Sequence, residues 1–177
     1  MEDKNKITKM ASAQNDASNT ASSIDFYEDE NRPRERRIKF VTFSLGKEWY
    51  GIEISKVKDV SMLAEVVRLP CVADYISGIV NLRGNIISVT DLRKLLGLSH
   101  AALTKNSRLL VINSREIETG IIVEDTPKVV DVELSKIDPP LEIFDQERAE
   151  YIVGVCKLED IFFAILNVEK ILSVRNR

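Results

Sequence analysis

The chain is predicted to be a mainly β protein, built as an internally duplicated pair of small barrels with short helices. Three observations predict it. Tyr75 to Leu96, YISGIVNLRGNIISVTDLRKLL, aligns without a gap to Tyr151 to Leu172, YIVGVCKLEDIFFAILNVEKIL, at the constant offset that takes Tyr75 to Tyr151. A fainter echo joins the upstream blocks, Phe43 to Ile54 and Val111 to Val123, through Gly51 and Gly120. Short apolar runs bounded by turn residues recur at roughly 8–12-residue spacing, the pattern of small β-barrels. The chain thus reads A-B-A′-B′, two related units of roughly 65 residues each, and similarity at a fixed offset is a fold-level signal.

Each element has a local reason. Phe40 to Leu45 has strand chemistry, with Phe and Val enriched. Gly46, Lys47 and Glu48 turn the chain, and Trp49 to Ile54 returns. Ile52 and Ile54 alternate with Glu53, the period of a sheet with one wet face. Val57, Val60, Val66, Val67 and Leu69 continue short β runs until Pro70 breaks them. Gly78 to Leu82 and Ile86 to Val89 form a hairpin, with Gly84 supplying positive φ in the turn. Asp91 caps a helical stub, Leu92 to Leu96, that Gly97 closes. In the second copy Arg108 to Ile112, Ile117 to Val123, Val129 to Val132 and Val153 to Leu166 are strands, and Pro139-Pro140 marks a loop. Asn167 takes the capping place of Asp91 before Val168 to Leu172. Asn and Asp are interchangeable as caps but not as catalytic acids, so the repeat makes Asp91 a cap.

Composition narrows the function. The chain has 177 residues, 44% of them apolar, and a net charge of −3, which argues against a nucleic-acid binder with a basic stripe. No run of about 18 apolar residues is present, and no apolar signal segment precedes the charged N-terminus. Residues 1–37 are rich in Ser, Asn, Asp, Lys and Glu, and are expected to be a disordered leader ending in a block of mixed charge. Cys71 and Cys156 sit in apolar strings and are expected to be reduced core residues of a cytosolic protein. His100, the one histidine, lies in a polar stretch as a surface residue. No phosphate loop, HExxH or nucleophile elbow occurs, and a single loop histidine gives triad chemistry no base. No catalytic residue, metal site or cofactor is therefore expected.

One polar constellation stands out. Asn81-Leu82-Arg83-Gly84 places an arginine at the mouth of a hairpin, where its fork suits a carboxylate. In the repeat, Arg83 falls on Glu159, and Asp59 falls on Lys128. Each half is thus expected to hold a cross-strand ion pair at the same place, with signs reversed. If Asp59–Arg83 were half buried, losing one partner would cost a few kcal/mol, towards the roughly 3–5 of a fully buried pair.

At these residues the chain resembles the CheW-like domain family, the coupling proteins of bacterial chemotaxis. The likeness runs from about Ile38 to Val174. It is carried by Phe43 to Ile54, Val57-Lys-Asp-Val60, Leu69-Pro70, and Tyr75-Ile-Ser-Gly-Ile-Val-Asn-Leu-Arg-Gly84 followed by Ile86 to Arg93. The resemblance implies two intertwined five-stranded SH3-like barrels spanning 38–174, with a boundary near 100–108. It implies a non-catalytic cytoplasmic adaptor, monomeric outside arrays, joining chemoreceptor tips to the CheW-like regulatory domain of the histidine kinase CheA. It implies a receptor-docking groove at Val57, Asp59, Gly78, Asn81 and Arg83, with no nucleic acid and no membrane insertion. Where the family commonly has Glu, this chain has the shorter Asp59. Two features qualify the match: the leader departs from a minimal coupling protein, and no receiver domain is expected after Arg177. An adaptor of another kinase array, such as twitching motility, is the alternative. An oligonucleotide-binding barrel would need a basic aromatic face, and an enzyme would need buried, perturbed acids in a pocket; the sequence offers neither.

Overall fold

The computed structural model describes residues 36–141, 145–158 and 161–174. In chain order, β1 (Arg37–Leu45) and β2 (Glu48–Glu53) form a hairpin. A 3₁₀ turn, Ile54–Lys56, leads to β3 (Val57–Met62). A second hairpin, β4 (Ile76–Leu82) and β5 (Asn85–Thr90), feeds α1 (Leu92–Leu95). The second half repeats the order with β6 (Arg108–Ser114), β7 (Ile117–Val123) and β8 (Lys128–Glu133). Another 3₁₀ turn, Leu134–Lys136, then β9 (Ile137–Asp138) and α2 (Gln146–Ala149) follow. The chain ends with β10 (Ile152–Leu158), β11 (Ile161–Leu166) and α3 (Val168–Ser173). The fold is mainly β, as the sequence predicts.

The strands form two curled sheets, and each sheet takes strands from both halves. One runs β8-β1-β2-β11-β10-β9, the other β3-β6-β7-β5-β4. The hairpins have exchanged: β1-β2 sits beside β10-β11 of the second copy, and β6-β7 beside β4-β5 of the first. The four hairpins are antiparallel, as are the β1–β8, β3–β6 and β9–β10 pairings, but the exchanged seams are parallel. At one, Ile165 lies opposite Gly51; at the other, Val89 lies opposite Gly120. These are the same positions under the internal repeat. The sixth strand is the two-residue β9, which pairs at Val155; its equivalent in the smaller sheet is a single bridge between Val67 and Ile79. Gly78 and Gly154 are equivalent too, and each follows a register shift. A Cβ on Gly78 would lie 2.2 Å from the Val67 carbonyl oxygen, so this glycine lets the bridge approach.

Alternation along the exchanged hairpins builds three cores. Leu109 and Val111 of β6 point into the smaller sheet, with Val80, Ile87 and Val89. Leu110 and Ile112 point the other way, into a central core with Val41, Phe43, Leu45, Tyr50 and Ile52. Phe40, Val132, Cys156, Phe163 and Ile165 fill the larger sheet. Strand β6 is therefore buried on both faces, and its apolar run Leu109 to Ile112 reads as continuous rather than alternating. The arrangement is consistent with two SH3-like barrels joined through a shared core.

The helices close that core, and their ends are satisfied locally. Asp91 Oδ1 accepts from the Arg93 and Lys94 amides, at 3.0 and 3.4 Å. Asn167 Oδ1 accepts from Lys170 N at 3.0 Å. Gly97, at φ +63, lets Leu98 N reach back to Arg93 O and Gly97 N to Lys94 O, a Schellman ending. Each helix is also pinned by charge. Arg93 of α1 pairs with Glu124, whose carboxylate accepts the Gly46 amide of the β1–β2 turn at 2.9 Å. At the equivalent position in α3, Glu169 accepts from Lys56 Nζ at 2.5 Å and from Ser114 Oγ at 3.1 Å beside the β6–β7 turn. The Lys56 bond holds the Glu169 carboxyl below its usual range. The helix α2 is tied to β2 by Arg148, which donates to the Tyr50 hydroxyl at 2.7 Å and pairs with Glu48.

Three expectations are corrected. Cys71 is exposed, at φ +56 in the turn after Pro70, because that apolar string belongs to the surface connection between β3 and β4. Cys156 is buried, and burial pushes its thiol up. Ile54 does not continue the alternation of Ile52; the strand ends at Glu53, where the chain leaves one sheet for the other, and Ile54 is exposed in the 3₁₀ turn. The third concerns Arg37, which belongs to β1 rather than to the leader. It lies opposite Glu133 in the ladder and donates to Asp131 and Glu133 at 3.1 and 2.8 Å. The remainder of the expected leader, residues 1–35, lies outside the described residues.

Removing Glu124 leaves Arg93, mostly buried, without its carboxylate and the Gly46 amide without an acceptor. Glu124→Ala should lower the unfolding free energy by about 2 kcal/mol, read as a lower urea midpoint at unchanged slope. In the native protein one thiol, Cys71, should react rapidly with a maleimide. Cys156 should react only on unfolding; two fast thiols would contradict the burial described.

Candidate functional site

The site predicted around Asn81-Leu82-Arg83-Gly84 is built by a turn and a bulge. In the β4–β5 hairpin, Arg83 and Gly84 both have positive φ, +55 and +89. That is the two-residue turn whose twist suits a hairpin. Asn81 holds it: its Oδ1 accepts the Gly84 amide at 2.8 Å. Asparagine suits this role because its short amide can reach a backbone group on its own turn. The turn carries Arg83 towards β3, which has a neighbour in β6 along one edge. The β3–β6 register shifts between Val57 and Asp59, so Lys58 is the extra residue of a bulge. A bulge re-aims side chains, and here Lys58 and Asp59, consecutive in sequence, line one depression.

That depression is small, about 170 Å³. Leu82, Ile87 and Val111 supply its apolar lining, and Lys58, Asp59, Arg83, Asn85 and Glu118 its polar one. Every lining residue belongs to the five-stranded sheet or its β4–β5 turn. Arg83 Nη2 lies 3.7 Å from Asp59 Oδ2, with the arginine side chain 79% exposed and the aspartate 26%. Asp59 Oδ1 is held by the Val60 amide at 2.9 Å. Lys58 pairs with Glu118 across β6.

The structure brings Asp59 and Arg83 together and places Asn81 beneath them as the turn's support. It sets Val57 apart, against the central core, and Gly78 under the Val67 bridge. The half-buried condition on the ion pair fails on the arginine side: a guanidinium on a hairpin tip has water on most of its surface. Of the reversed pair, Lys128 is exposed on β8, opposite Thr42, and Glu159 lies outside the described residues. Sequence reasoning missed Lys58 and Glu118. Strand alternation puts Lys58 on the face away from Asp59, and nothing in the residue pattern announces the bulge. No helix among the described residues is long and apolar enough to cross a membrane.

A duplicated, hairpin-exchanged pair of curled sheets, mainly β with short helices, defines the fold class. The CheW-like domain model matches residues 39–176, and the chain belongs to that family. It is 32% identical over 143 residues to the chemotaxis protein CheW of Treponema pallidum, covering 78% of this chain and 84% of the relative. It is 31% identical over 135 residues to that of Bacillus subtilis, covering 76% and 86%. The crystal structure of the scaffolding protein TtCheW from Thermoanaerobacter tengcongensis superposes with a TM-score of 0.68 at 30% identity, covering 75% of this chain and 90% of that one.

With an exposed arginine and a long contact, Asp59–Arg83 should behave as a surface pair. A double-mutant cycle with Asp59→Ala and Arg83→Ala should give a coupling of about 0.2–1 kcal/mol in stability. A coupling near the roughly 3–5 kcal/mol cost of breaking a buried pair would contradict this geometry.

Proposed function

We propose that this chain is a chemotaxis scaffold that joins the cytoplasmic tips of chemoreceptors to the histidine kinase CheA. In this reading it is cytoplasmic, monomeric when free, and recruited to membrane-associated receptor arrays. The observation that carries it is the family match across nearly the whole folded part, together with relatives named as chemotaxis and scaffolding proteins. The chemistry agrees with holding rather than converting. The conspicuous arginine is exposed and loosely paired, a state suited to meeting a partner.

In this reading the receptor docks at Asp59 and Arg83. Asn81 shapes the turn that presents the arginine, while Val57 and Gly78 fix the strands on either side. The kinase contact uses exposed apolar strand residues of both halves. Ile86 and Phe162 are the pair to consider: they are equivalent under the internal repeat, and they stay 71% and 48% exposed. Two equivalent apolar positions, one on each curled sheet, suit a kinase domain that is itself built on the same duplicated plan. Binding shifts the kinase between states by differential affinity.

The test is co-sedimentation with receptor-bearing membranes and CheA, with kinase activity followed in parallel. Arg83→Ala should cut recruitment about tenfold, the equivalent of about 1.4 kcal/mol, while leaving the melting temperature near that of the parent. Undiminished recruitment and kinase control by the variant would remove the docking assignment.

A further inference from the structure

The four charges around the depression sum to zero, but the two signs are not equally placed. The side chains of Asp59 and Glu118 are sheltered, 26% and 28% exposed, whereas those of Arg83 and Lys58 stand out at 79% and 53%. An approaching molecule meets a guanidinium and an ammonium first. Their counter-charges lie deeper, beside Leu82, Ile87 and Val111.

Lys58 stands there because of the bulge. In a regular ladder it would project from the opposite face to Asp59. The equivalent β1–β8 ladder runs in unbroken register from Arg37 opposite Glu133 to Thr42 opposite Lys128. That ladder ends at Lys128, the equivalent of Asp59, and Pro127 falls on Lys58, so the second cation beside Arg83 has no counterpart at that position of the other half. Glu118 holds the ammonium by its inner side, which orients it without covering it.

We propose that Lys58 is a second docking cation, and that the depression binds a protein segment bearing a carboxylate next to an apolar side chain. The carboxylate lies between Lys58 and Arg83, and the apolar neighbour covers Leu82. The inference rests on the reading of this depression as the receptor dock and deepens it by naming the chemistry of the partner. Charge complementarity is the argument: a cationic rim over an apolar floor favours an acidic, amphipathic surface such as one face of a helix.

The experiment measures binding of a soluble cytoplasmic fragment of a methyl-accepting chemotaxis receptor by titration calorimetry at low and high salt. Lys58→Glu should weaken binding about tenfold at low salt, and Lys58→Gln about threefold, with the difference from the parent shrinking as salt rises. The double exchange Lys58→Glu with Glu118→Lys rebuilds the ion pair but puts the cation at the sheltered end. Binding should stay weak. Full recovery by the exchange would make Lys58 a prop for β3 and overturn the proposal. So would parental affinity in both Lys58→Gln and Lys58→Glu when Arg83→Ala is impaired, an outcome that leaves the dock at Arg83 standing. Parental affinity in all the variants, Arg83→Ala included, would instead overturn the dock itself. Should Lys58→Glu fail to fold by circular dichroism, Lys58→Gln decides alone.

Discussion

Two short parallel seams hold the molecule together. Each brings a hairpin from one half of the chain against a strand from the other, at Gly51 beside Ile165 and at Gly120 beside Val89. Glycine is required at both. A Cβ on Gly51 would lie 2.6 Å from the Phe163 ring, and one on Gly120 2.6 Å from a Leu109 methyl. These side chains fill the two sheet interiors, so a larger residue at either glycine displaces the packing that the seam organises. The central core depends on the same arrangement, because only exchanged hairpins present Phe43 and Tyr50 from one sheet to Leu110 and Ile112 from the other.

On this duplicated frame the differences carry the information. The two helices are pinned at the same position by opposite charges, Arg93 on α1 and Glu169 on α3. Mispairing of one helix with the other's anchor would set like charges together, so the reversal makes each helix specific for its own place. The bulge at Lys58 is the second difference. It gives one sheet a charged depression, whereas the corresponding ladder of the other ends at Lys128, the equivalent of Asp59, with Pro127 in the place of Lys58. The pseudo-symmetric scaffold thus presents two unlike faces, which an adaptor needs if it is to hold two kinds of partner.

Much of the fold was legible because its signals are local. The repeat at constant offset located β4, β5, β10 and β11. Caps such as Asp91 and Asn167 marked the helices, and Gly84 marked the tightest turn. What was not legible is non-local. Periodicity says that β2 is a strand but not that its neighbour is β11. It also overran: Ile54 continues the alternation of Ile52 in sequence, yet the crossing between sheets takes it out of the strand. Cys71 was misplaced for a related reason, since an apolar string reads as core whether it lies in a strand or in a connection. At the site, Asn81, Arg83 and Asp59 were visible as residue types. Lys58 and Glu118 were not, because a one-residue register shift leaves no trace in hydrophobic pattern. The helix α2 is four residues long, with its anchor in the Arg148–Tyr50–Glu48 contact rather than in an apolar stripe.

The exchange of hairpins also sets the order of events at birth. The β1–β2 hairpin leaves the ribosome before its neighbours, β8 and β11, are made; Ile165 follows Gly51 by more than a hundred residues. At synthesis rates of about 5–20 residues per second, the edge of β2 waits roughly 6 to 23 seconds for its mate. During that interval its unpaired backbone groups form an open template, which closes only when β11 arrives.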